Sequence, residues 1–145
     1  MTTIRYEVVI LFTKHLEYPS IFLTGGIVYM LLEILWRGYS HWSMGVCGGL
    51  CFLGIYFIEN SRYNLPLYLK SFFCCLFITF NEFITGYIVN ISFGWNVWDY
   101  SNMPYNFMGQ ICLIYSIFWL LLSIPALKIA SLMKKYLFSP KETYN

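Results

Sequence analysis

Four long apolar stretches, separated by short polar loops, leave this chain few ways to fold. Each approaches or exceeds the roughly 20 residues that a helix needs to cross a hydrocarbon core. We read spanning helices over 20–38, 42–59, 67–90 and 107–128. The stretches run continuously apolar instead of alternating at every second residue, which argues against a transmembrane β-barrel. Composition points the same way. Hydrophobic residues make up 59% of the chain and charged residues 11%, where an average soluble domain carries about 25% charged residues. A soluble domain of this length could not hide so much apolar surface. The formal net charge is +2 with no long basic run, which excludes a nucleic-acid-binding domain.

The expected fold is therefore an all-α membrane protein, a single membrane domain over residues 1–145. Its parts are an interfacial N-terminal segment at 1–19, a four-helix bundle at 20–128 and a cytoplasmic tail at 129–145. In residues 4–17 (IRYEVVILFTKHLE), Ile4, Val8 and Leu11 recur at helical spacing among Arg5, Glu7, Lys14 and Glu17. That pattern fits an amphipathic helix lying in the interface, or a leader helix with no role of its own. The first span is long enough to cross and lacks a small-x-small cleavage site, so it is expected to be retained.

Basic residues set the orientation. Arg5 and Lys14, then Arg62 and Lys70, then Lys128, Lys134, Lys135 and Lys141 share one side of a four-helix topology, against Arg37 alone on the other. Both termini are thus expected in the cytoplasm of a cell-membrane protein, with loops 38–42 and 91–106 outside. Trp36, Tyr39, Trp42, Trp95, Trp98 and Tyr100 fall at the outer boundary, where interfacial aromatics belong. Gly45, Gly49 and Gly54, with Gly25 and Gly26, offer small faces for close helix approach, within the subunit or in a homo-oligomer. Cys47, Cys51, Cys74, Cys75 and Cys112 read as small buried residues; no metal site and no cofactor are expected.

Few ionisable residues fall inside the spans, so each is a candidate for function. Glu33 lies about 20 Å from the inner end of its helix at 1.5 Å per residue, and Glu82 lies at a similar depth. Gln110 is expected one turn into the fourth helix, with Asn90 and Asn106 at helix ends. Glu33 and Arg37 are spaced to pair along one face. Glu82 either meets Arg37 across the bundle or is kept protonated by burial. With His41, Trp98 and Asp99 from the loops, these residues outline an outward-facing polar pocket. An acidic, aromatic-lined pocket suits a cationic or amphipathic small molecule.

The run FLTGGIVYMLLEILWRGYSHWSMGVCGGLCF, then NEFITGYIVN, then WNVWDYSNMPYNFMGQICLIYSIFW resembles the bacterial ABC-transporter permease family of the CmpB type, from about residue 22 to 125. By position, the resemblance carries that family's characteristic residues onto Glu33, Trp36, Arg37, Ser40, His41 and Trp42. It continues through Glu82, Gly86 and Asn90, then Trp98, Asp99, Tyr100, Pro104, Asn106, Gly109 and Gln110. It implies a membrane transport subunit working with a separate ATPase polypeptide, as an oligomer. The leading expectation is accordingly a small transport-type membrane protein that binds a small-molecule or lipid-like ligand and touches membrane lipid. Two alternatives keep the same residues. One is a membrane enzyme acting on a lipid-linked substrate, with His41 or Glu82 as base. The other is a homo-oligomeric effector or accessory subunit that uses them as polar packing.

Overall fold

The computed structural model describes residues 2–139, with side chains from residue 15 onward. Four helices carry the chain. They are α1 (Thr2–Arg37), α2 (Trp42–Glu59), α3 (Leu67–Gly86) and α4 (Leu113–Met133). A π-helical turn, Tyr87–Ser92, continues α3, and another, Lys134–Phe138, continues α4. Four segments are long and apolar enough to cross a membrane: His15–Arg37, Trp42–Glu59, Leu67–Ser92 and Leu113–Phe138. The molecule is a multi-pass membrane protein.

The boundaries differ from the sequence reading in three places. The N-terminal segment is not separate from the first span, because α1 runs unbroken through Pro19. Its interfacial role rests on side chains that lie outside the described residues. The fourth helix starts at Leu113 and not near 107. Residues 106–112 instead form a small antiparallel hairpin, β1 (Asn106–Phe107) against β2 (Ile111–Cys112), with Asn106 opposite Cys112. At its other end the helical path continues past 128 to Phe138. The end of the expected tail, 140–145, lies outside the described residues.

The centre of the bundle is α2, which touches α1, α3 and α4. Its glycines explain the α1 contact. A Cβ at Gly26 would stand 2.6 Å from the Gly45 carbonyl oxygen, and one at Gly49 would stand 2.8 Å from the Phe22 carbonyl oxygen. Backbone meets backbone here, so no side chain fits between. Lipid tails are as apolar as leucine, so such close van der Waals contact is what drives helix association in a bilayer. Gly54 faces the other way, onto the Phe77 ring of α3. Cys47, Cys51, Phe52, Ile55 and Tyr56 of α2 pack with Ile21, Cys74, Ile78, Leu127 and Ala130 into the main core. All five cysteines are free, and among the described residues no cluster of side chains could hold a metal.

Candidate functional site

At the end of the bundle that carries loops 38–41 and 93–112, the polar residues form linked groups. The first is on α1. Arg37 donates to Glu33 Oε1 at 2.7 Å and to the Val97 carbonyl at 2.9 Å. Ser40 donates to the other Glu33 oxygen at 2.5 Å. The guanidinium also lies over the Tyr39 ring, 4.7 Å from its centroid. Its Nε is buried without a hydrogen-bond partner. The pair expected from the four-residue spacing therefore forms, and it also ties α1 to the long loop.

The second group belongs to Asn90. The π turn after Gly86 winds the chain more widely than an α-helix and turns the consecutive residues Val89 and Asn90 inward; both are buried. Asn90 accepts from the Val97 backbone amide at 2.6 Å and donates to Gln110 Oε1 at 2.8 Å. Trp98 donates its indole N–H to the Gln110 carbonyl at 2.9 Å. Loop 93–112 thus folds back onto the bundle as a cap. Val97 and Trp98 pack there against Met44 and Val89.

The third group centres on Glu82, only 3% exposed. Trp119 of α4 donates to one carboxylate oxygen at 2.9 Å, and Tyr100 of the cap donates to the other at 3.1 Å. Tyr100 stacks on Tyr115, with centroids 4.6 Å apart. Burial, and then the Glu82 charge, push the Tyr100 phenol far above its ordinary range, which keeps it a donor at any physiological pH. Trp119 is therefore a partner of the buried acid.

The remaining candidates stand apart from these groups. His41 caps α2: its Nδ1 accepts from the Ser43 amide at 3.3 Å and lies 2.7 Å from the Ser43 hydroxyl. Its ring packs with Trp42 and Trp95 at 5.5 and 5.4 Å. Asp99 is on the surface of the cap. The Ser101 hydroxyl at 2.5 Å, followed by the Ser101 amide at 2.8 Å, holds its carboxyl below the usual range. Asn106 accepts from the Gly109 amide at 3.1 Å and donates to the Met103 carbonyl at 2.8 Å, which closes the hairpin. Gly109 has φ +68°, and a Cβ there would stand 2.8 Å from Asp99 Oδ1. Asp99 and Asn106 therefore shape the cap, while Glu33, Arg37, Glu82, Asn90, Trp98 and Gln110 hold it down.

A second charged centre, at the opposite end, was not legible in the sequence. Glu17 of α1, 6% exposed, accepts from the Tyr56 hydroxyl and pairs with Lys134 at 2.8 Å. It joins α1, α2 and the π turn after α4. Its sequence signal was one acid among the charged residues of 4–17, a pattern that does not point to Lys134.

The family described as "Putative ABC-transporter type IV" matches residues 43–144. No curated protein and no solved structure matches the chain. The family match takes in three of the four spans and the whole cap, and so reaches Glu82, Asn90, Trp98 and Gln110. With well over half its length inside that match, this multi-pass membrane protein belongs to the ABC-transporter type IV family of the CmpB type.

Proposed function

We propose that the protein is the membrane component of a transport system, and that the capped end binds a cationic or amphipathic small molecule. The observation that carries this reading is the environment of Glu82. Its two hydrogen-bond donors, Tyr100 and Trp119, are neutral. Arg37, the cation at this end of the bundle, is committed to Glu33 and to the Val97 carbonyl. A carboxylate so deeply desolvated calls for a proton or a positive partner, and a cationic ligand supplies the latter. One of its two donors sits on the cap, so movement of loop 93–112 would open the site. The driving ATPase is a separate polypeptide in this reading, and the working unit is an oligomer.

Glu82→Gln keeps the size of the side chain and removes its charge. Tetraphenylphosphonium serves as a probe cation, measured by equilibrium binding to purified protein in mild detergent. The variant should bind it about tenfold more weakly or worse, the scale of one lost charge-assisted contact, with an unchanged elution profile. Equal binding by both proteins would overturn the reading.

We further infer that the capped end faces the exterior of the cell membrane and both termini face the cytoplasm. Supporting this, Arg62, Lys70, Lys134 and Lys135 gather at the end opposite the cap, which holds Arg37 alone. A C-terminal green-fluorescent-protein fusion should fluoresce and a C-terminal alkaline-phosphatase fusion should be inactive; the reverse pattern would invert the topology.

A further inference from the structure

Between α1 and α4 lies a slot of about 210 Å³ that adjoins the capped site at Trp119 and runs away from it. Along one face of α1, Glu17, Ile21, Thr24, Val28 and Leu32 follow one another at helical spacing. The first two meet the rest of the protein: Ile21 is fully buried, and Glu17 pairs with Lys134. From Thr24 to Leu32 the two helices separate, and the slot runs between them. At the upper limit the rings of Tyr29 and Trp119 approach again, 5.9 Å apart. The slot thus has an aromatic ceiling and a side open to the bilayer, with the Glu17–Lys134 pair beyond its lower end.

Its walls are almost wholly hydrocarbon. The Thr24 hydroxyl bonds the Ser20 carbonyl at 2.8 Å, and the Ser123 hydroxyl bonds the Leu120 carbonyl at 2.8 Å. The Trp119 N–H is likewise taken by Glu82, so all three groups are satisfied within the protein, and the Tyr29 phenol belongs to the ceiling. Apolar cavities do not hold water, and one of about 150 Å³ accepts a benzene-sized hydrocarbon. Below the slot, Lys134 is five residues past Ile129, about 7.5 Å along the helix. Its side chain remains 40% exposed despite the Glu17 pair, and Lys135 beside it is exposed. Positive charge therefore stands at the rim where a lipid phosphate would lie.

We propose that this slot binds one acyl chain of an anionic phospholipid, with its phosphate held at Lys134 and Lys135. This site goes beyond the capped-site reading and does not depend on it. The test uses the full chain in vesicles that carry a photoactivatable diazirine acyl chain, on either phosphatidylglycerol or phosphatidylcholine. Crosslinked residues are mapped by mass spectrometry. With phosphatidylglycerol, labelling should concentrate on Val28, Leu32, Leu122 and Ile129. The outward row Leu23, Ile27, Leu31 and Leu35 provides the comparison, since it is exposed to ordinary bulk lipid. Phosphatidylcholine should label the slot less, by about fivefold for each lysine engaged, and Lys135→Gln should narrow that difference.

Val28 sits half-exposed at the mouth, so Val28→Phe should block slot labelling and leave the outward row unchanged. Ala126→Phe fills the slot from the α4 side and provides a second obstruction. Equal labelling of slot and outward row, or slot labelling that survives both obstructions, would overturn the proposal. Equal slot labelling by the two lipids would overturn the choice of an anionic headgroup.

Discussion

Gly26→Val should detach α1 from α2 and cost about 3 kcal/mol or more, near the upper end for an overpacked contact. A Cβ at this position would stand 2.6 Å from the Gly45 carbonyl oxygen and 3.3 Å from its carbon. Those are backbone atoms of a helix, so no rotamer change relieves the clash; the helices must move apart. Separation would also unseat Gly49 from the Phe22 carbonyl, because the contacts lie along a single crossing. Thermal unfolding in mild detergent should show a large fall in midpoint. Leu35→Ala, on the outward side of the same helix, should leave the midpoint nearly unchanged. A Gly26→Val protein as stable as the parent would mean that this crossing contributes little to the fold.

Asn90→Leu should release the cap. The substitution removes the acceptor for the Val97 amide and the donor to Gln110 Oε1, both in buried surroundings. Each buried group left unsatisfied costs about 1–3 kcal/mol, so the pair sets the scale at about 3 kcal/mol. The loss is local, since the helix contacts of α2 do not pass through Asn90. Proteolysis within 93–112 should accelerate strongly, and hydrogen exchange at the Val97 amide should lose its protection. The α1–α2 pair should keep its own protection. A cap that stays closed in this variant would shift the credit to the Trp98 bond with the Gln110 carbonyl and to the Arg37 bond with the Val97 carbonyl.

Hydropathy makes the spans legible because a bilayer imposes length and apolarity on every crossing helix. The ends of α2 at Trp42 and Glu59 coincide with the sequence reading for that reason. The Gly25, Gly26, Gly45 and Gly49 faces were readable too, since a missing side chain has one chief use between helices in lipid. Glu33 and Arg37 were readable from a four-residue spacing. Gln110 was not. Apolar residues continue from Ile111 into α4, so hydropathy extends the helix backwards over a hairpin whose strands are two residues each. The inward aim of Asn90 depends on a π turn, and the apolar pattern of α3 runs straight across it. Trp119 bonds an acid 37 residues away, and Glu17 pairs with a lysine 117 residues away. Local spacing carries no information about either.

The separation between Glu17 and Lys134 also bears on the order of assembly. Contacts between α1 and α2 are local in sequence, and the loop between them is short, so that hairpin can form while the rest of the chain is still being made. The 117-residue link is among the last that synthesis permits, because Lys134 lies near the end of the fourth span and emerges after the first three. Completion of the chain thus coincides with closure of the contact that ties α1, near its beginning, to the π turn after α4.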